Sequence, residues 1–166
     1  MRSELKYVAP EPEPEEYTEE QTLHPVGSSM NSETFTQVGQ RLTIPNRAVS
    51  KLGFWLYKYG APAGDVTFKI LRVSDDGLIC SKKWGNAEDL PIEFDYKEVT
   101  FDTPQTINEE VRILAEFAGG DGSNGIRQGT ENSDVKEDEY LTKGVGLVWT
   151  DAEIWDCAYR YKYYEV

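Results

Sequence analysis

Val49–Gly77 reads VSKLGFWLYKYGAPAGDVTFKILRVSDDG, and this stretch decides the fold class. Leu52, Phe54 and Leu56 alternate with Gly53, Trp55 and Tyr57, so a strand here is apolar on both faces. Gly60-Ala61-Pro62-Ala63-Gly64 is a turn by composition. Val66, Phe68 and Ile70 then alternate with Thr67 and Lys69, the pattern of a half-buried antiparallel strand. Ser74-Asp75-Asp76-Gly77 follows, and Asp-Gly between apolar runs is a strong local hairpin signal into Leu78–Trp84.

Period-2 segments continue on both sides of this unit. Glu33–Val38 and Arg41–Ile44 read as short extended pieces ended by Pro45-Asn46. Ile92–Phe101 reads as a strand with Ile92, Phe94 and Tyr96 on one face. Val99 and Phe101 fall on the other parity, which predicts a bulge near Lys97. Asp102-Thr103-Pro104 reads as a turn, Val111–Phe117 as a strand, and Gly119–Glu139 as a long polar loop. Tyr140–Trp149 and Ile154–Tyr164 complete the set, the last with Trp155, Cys157, Tyr159, Tyr161 and Tyr163 on one face. About eight strands with no convincing helix predict an all-β, antiparallel β-sandwich over residues 40–166.

Residues 1–39 read differently. They carry Glu11-Pro12-Glu13-Pro14-Glu15-Glu16 and then Glu19-Glu20, with no sustained apolar period. Pro alternating with Glu makes stiff, self-repelling, extended chain. The segment is therefore expected to be an acidic arm that needs a neighbour to hold it, with Glu11, Glu13, Glu15, Glu16 and Tyr17 as partner-binding residues. Its eight acids face only Arg2 and Lys6, a net −6 out of the chain's −13, so the remainder is acidic too.

That charge argues against phosphate-backbone binding and against anionic membranes, which both require clustered Lys and Arg. No apolar run reaches the length of a membrane span, and no signal-peptide order of basic, apolar and small residues is present. Cys80 and Cys157 are the two cysteines, read as buried reduced thiols, with a bridge between them as the alternative. His24 is the single histidine and lies in the arm, so a nucleophile–His–acid triad would have to recruit it from that segment, which argues against one. Asp121–Asn124, inside a Gly-rich loop, offers oxygen ligands of the kind calcium takes, but its spacing is not that of an EF-hand; the expected cofactor is none. Thirty acids make a chance glycosidase-like carboxylate pair nearly inevitable, so such a pair carries no information. Trp55, Tyr57, Tyr161 and Tyr163 have two readings, sheet packing or an exposed platform for sugar rings or a partner.

The Val49–Gly77 unit, together with TPQTINEEVRILAEF at 103–117 and IWDCAYRYKYY at 154–164, resembles jelly-roll modules of phage and archaeal-virus structural proteins and of bacterial surface proteins of the choice-of-anchor type. The resemblance covers roughly residues 36–166 and rests on structural punctuation. It implies a non-catalytic module that caps, adheres or binds glycans. The acidic arm and the missing export and sorting signals favour the virion type over the surface type.

The resulting expectation is a non-enzymatic virion structural protein, made in a host cytoplasm, that decorates a capsid or belongs to a tail or baseplate. It would dock through its arm on neighbouring structural subunits as a homo-oligomer. The alternative is a carbohydrate-binding or adhesion module that uses exposed aromatics.

Overall fold

A computed structural model describes residues 4–166. Eleven strands form one continuous antiparallel ladder: β1 (Glu16–Gln21), β2 (Val26–Met30), β3 (Gln37–Tyr59), β4 (Asp65–Arg72), β5 (Leu78–Asn86), β6 (Asp95–Glu116), β7 (Gly125–Glu131), β8 (Tyr140–Val145), β9 (Val148–Ala152), β10 (Asp156–Cys157) and β11 (Tyr159–Glu165). Ala87–Asp89 is a single 3-10 turn, capped by the Asn86 side chain, whose oxygen accepts from the Glu88 amide. Among the described residues no helix is long and apolar enough to cross a membrane.

The architecture depends on β3 and β6, of 23 and 22 residues, which pair along almost their whole lengths. Gln37–Ile44 pairs with Glu109–Glu116, and β8 and β4 flank this half of the pair; β9 and β5 extend it. Arg47–Leu56 pairs with Asp95–Ile107, and β11 and then β1 extend that half. Register shifts at Ile44/Arg47 and Val49/Lys51 mark the corner between the halves, where Asn46 takes a positive φ of 45°. Asn tolerates that conformation better than most residues do. The two halves fold face to face: Phe54 of the second half meets Phe68 of β4 edge-on, ring centroids 5.1 Å apart. The result is an antiparallel sandwich with Val38, Leu42, Ile44, Leu52, Phe54, Leu56, Ile70, Ile113 and Tyr159 in its core.

Several expected boundaries move. The pieces Glu33–Val38, Arg41–Ile44 and Val49–Tyr59 are largely one strand, because the chain bends at Pro45-Asn46 without leaving the ladder. Asp102-Thr103-Pro104 likewise lies inside β6 at the same corner. No bulge forms near Lys97: Phe94 and Tyr96 face outward while Val99 and Phe101 face the core, as a single unbroken parity requires. Tyr140–Trp149 is a hairpin of β8 and β9, turned at Gly146, where φ is 60°. The Gly119–Glu139 loop contains β7. Its inward positions hold Gln128 and Thr130 and its third is Ile126, so the apolar alternation is masked by polar core residues.

The largest difference concerns residues 1–39. Residues 1–3 lie outside the described part, and Glu4–Glu15 forms no strand and is exposed. Glu16–Gln21 and Val26–Met30, by contrast, are strands of the sandwich, paired with β11 and β7. Their charge is satisfied within the sandwich: Glu16 meets Ser50 and Lys51, Glu19 meets Lys136 and Arg47, and Glu20 pairs with Arg160. An acidic edge strand against basic neighbours is a paired strand with negative character, and edge charge also blocks unwanted pairing.

Phe54 is fully buried at the contact between the layers, so Phe54→Ala is expected to lower unfolding free energy by about 3–5 kcal/mol. Urea unfolding with an unchanged m-value checks it; a loss below about 1 kcal/mol would mean that the two halves do not depend on this contact.

Candidate functional site

The final strand supplies the interior of the second layer. Tyr159, Tyr161 and Tyr163 pair in register with Phe54, Leu52 and Val49, and all three point inward. Tyr161 and Tyr163 retain 1% and 6% of their exposure, so they are not a ligand platform. They are buried in the core between the layers, and β1 flanks them as the edge of the layer: Tyr17 stacks on Tyr163 at 5.7 Å between centroids. Arg47 donates to the Tyr161 hydroxyl at 2.6 Å and sits over the Tyr163 ring at 4.2 Å. The Tyr159 hydroxyl donates to Glu139 Oε1 at 2.6 Å.

A polar cluster closes this end of the core. Gln40 Nε2 donates to Asp156 Oδ1 at 2.5 Å, and Asp156 Oδ2 accepts the Val135 and Lys136 amides at 2.8 and 2.9 Å. A buried carboxylate thereby pins the 132–139 loop onto the sandwich. Burial holds the Glu139 carboxyl above its ordinary range, with partial opposition from the Tyr159 hydroxyl, Lys136 and Gln40. Cys157 is buried beside Gln128 and Cys80 is half-buried on β5; both are free thiols. Burial pushes the Cys80 thiol up to about 12 and raises Cys157 as well, so neither is an activated nucleophile at neutral pH.

The other charged groups are also held in structural pairs. On the outer face of the first layer, Arg41 bridges Glu110 and Asp151 at 2.7 and 2.9 Å, and Arg112 meets Asp151 at 3.2 Å beneath the Trp149 ring. Burial works against the Asp151 charge, but Thr142, Arg41 and Arg112 outweigh it and hold this carboxyl below its usual range. In the Gly-rich loop, Asp121 Oδ1 accepts from the Ser123 amide and the Asn124 side chain, a closed Asx turn, and Asn124 Oδ1 accepts from the Ala61 amide. Among the described residues no group of three or more His, Cys, Asp or Glu side chains is placed to hold a metal.

Two surfaces remain. The first is the outer aromatic face of the second layer. Trp55 and Tyr57 lie there, half-buried, with His24, Phe94 and Tyr96. His24 stacks on Trp55 at 5.4 Å, Phe94 meets His24 and Tyr57 edge-on, and Tyr96 tilts against Trp55 at 4.8 Å. The Arg160 guanidinium covers Tyr96 at 4.6 Å. Glycines make this flat packing fit: a Cβ on Gly53 would overlap the Tyr96 ring, and one on Gly27 would crowd Phe94. The aromatics thus shield bare backbone as well as forming a surface.

The second surface lies under the β8–β9 hairpin. Leu141, Lys143 and Val145 share a face with Val148, Thr150 and Ala152, and this face continues the core face of the first layer. Leu141 is covered, but Val145 and Val148 are 50% and 77% exposed. Between hairpin and core, Phe35, Leu141, Lys143, Thr150, Ala152 and Trp155 line an open pocket of about 190 Å3. Lys143 Nζ lies 5.5 Å from the Phe35 ring and 5.9 Å from that of Trp155. Among the described residues no carboxylate reaches it within 4.0 Å, and burial lowers its pKa. No sequence pattern marks this groove, because it joins Phe35 and Trp155 across 120 positions of chain.

The arm residues divide. Glu11, Glu13 and Glu15 are exposed, while Glu16 and Tyr17 belong to β1. Near the start of the described chain, Leu5, Tyr7 and Val8 are 97%, 87% and 84% exposed. No family model matches this chain, and no curated protein matches it in sequence.

Glu139 gives a pH test. Its carboxyl is raised in the folded protein, so its contribution favours folding below its unfolded value near 4.5 and is lost as pH climbs through the raised value. Glu139→Gln keeps an oxygen for Tyr159 and removes the titration. The variant is expected to gain stability relative to the parent as pH rises from about 4 to about 7, read by urea unfolding at each pH. A difference that stays flat with pH would refute the assignment.

Proposed function

We propose that this chain is a non-enzymatic structural subunit of a virus-like particle, a capsid-decorating or tail- or baseplate-associated protein, docked on neighbouring subunits through its N-terminal arm. The observation that carries this reading is the arm itself. Glu4–Glu15 leaves the edge of a closed sandwich with three almost fully exposed apolar side chains and a Pro/Glu spacer behind them. Large apolar side chains held out on a charged tether mark an interaction element. The sandwich supports the same reading, since its buried acids, tyrosines and thiols are consumed by packing and pairing. The sequence resemblance to virion jelly-roll modules points the same way.

A carbohydrate-binding or adhesion module is the second reading. The half-exposed face of Trp55, Tyr57, His24, Phe94 and Tyr96 favours it, because flat aromatic groups are suited to stacking against sugar rings. Calcium at Asp121–Asn124 would belong to this reading.

The structure sets where the arm should be cut. Removing residues 1–15 spares β1 and β2, and is expected to abolish incorporation into particles while leaving the melting temperature within about 2 °C. Removing residues 1–30 is expected to destabilise the sandwich itself, since it strips two strands. Full incorporation of the shorter truncation would overturn the structural-subunit reading. For the second reading, Trp55→Ala should abolish retention on a glycan array; an array that is blank for the parent excludes it.

A further inference from the structure

We propose that the groove under the β8–β9 hairpin receives the arm of a second copy of this chain, with Leu5 and Tyr7 filling the space beside Phe35 and Trp155 and an arm carboxylate meeting Lys143. The inference deepens the docking reading and rests on it for the arm's role. It names the partner and the surface.

Four observations carry it. First, the groove is core surface that the described residues cover only in part: on the inward face of the hairpin Leu141 is buried, but Val145 and Val148 are exposed. Secondly, among the described residues β9 pairs with β8 alone, so its other backbone edge is open to an extended segment. Strand addition on such an edge satisfies backbone groups while alternate side chains enter pockets, and Leu5 and Tyr7 are alternate residues.

Thirdly, the charges complement one another. Among the described residues no carboxylate of its own subunit reaches Lys143, which stands among aromatics, and the arm offers Glu11, Glu13 and Glu15 on the parity of Leu5 and Tyr7, with Lys6 on the opposite one. A desolvated ammonium gains most from an anion that arrives with the ligand. Fourthly, the arm leaves from the wrong place to be this groove's native cover. Glu16 pairs with Tyr164, which pairs with Ala48, at the corner where β3 turns. Lys143 pairs with Val38, towards the other end of the sandwich. From Glu16 back to Tyr7 nine extended residues span about 28 Å at ~3.1 Å each, enough to leave one subunit and enter the next. Different surfaces meeting in this way give a head-to-tail interface, so the assembly is a ring or an open string rather than a symmetric pair.

The test uses the full chain with a photo-crosslinking residue in place of Tyr7, mixed as light and nitrogen-15-labelled protein. Irradiation is expected to join light to heavy chains, with the modified peptides mapping to residues 141–155 or to Phe35. Val148→Asp, at an exposed position that the fold does not need, and Lys143→Glu are each expected to reduce the product about tenfold. Glu-to-Lys changes at 11, 13 and 15 should restore it in the Lys143→Glu background. Cross-links confined to the same chain, cross-links elsewhere on the sandwich, no cross-links, or a yield indifferent to both groove variants would each overturn the proposal. Loss of particle incorporation on arm removal, combined with any of those results, would leave the docking reading standing and move the partner to another protein.

Discussion

The antiparallel pair of β3 and β6 is the constraint on which the rest of this structure depends. Two strands of more than twenty residues remain hydrogen-bonded while bending through a corner, so their first and second halves become the centres of opposite layers. Every other strand is placed by the half it joins. β4, β5, β8 and β9 extend one half; β11 and β1 extend the other, and β7, with β2 and β10 paired to it, joins the end of that half at Leu56–Tyr59. Folding the pair upon itself brings Phe54 against Phe68 and generates the core in one step. Most of these contacts join residues distant in sequence, a topology that folds slowly and exposes edges on the way. The charged edge strand β1 is one protection against mispairing during that time.

The same geometry creates the surfaces that remain for function. A corner closes one end of the sandwich, and β1 begins there, so the arm departs from the closed end. The hairpin of β8 and β9 hangs from the first half of β3, and its core face stays partly bare. Arm and groove are thus consequences of one fold. The groove's aromatic walls and lone ammonium are made from residues far apart in the chain, and only the ladder brings them together.

The sequence made the fold class legible where one face is apolar and turns are marked by Gly, Pro or Asp-Gly. Val66–Ile70 and the hairpin at Asp76-Gly77 are of this kind, and so is the inward face of Cys157, Tyr159, Tyr161 and Tyr163. It failed where polar residues occupy the interior. Gln128 and Thr130 hid β7, and glutamates hid β1, because their partners Lys51, Lys136, Arg47 and Arg160 lie elsewhere in the chain. Pro45 and Pro104 looked like stops but sit in a bend that keeps its ladder, as proline can at an irregular, corner position. Of the candidate site residues, Trp55 and Tyr57 do face outward, while Tyr161 and Tyr163 were indistinguishable from them by period alone; the opposing layer decides which face is covered.

The central claim is that the charged N-terminal region has two natures, sandwich strand from Glu16 and free docking element before it. Amide hydrogen exchange measured across a dilution series addresses this most directly. The account predicts that the amides of Glu16–Gln21 and Val26–Met30 are protected together with β11 and β7 at every concentration. It also predicts that the amides of Leu5–Val8 exchange as free chain in dilute solution and become protected as concentration rises. Protection of Leu5–Val8 that does not depend on concentration, or exchange of Glu16–Met30 at the free-chain rate, would contradict it.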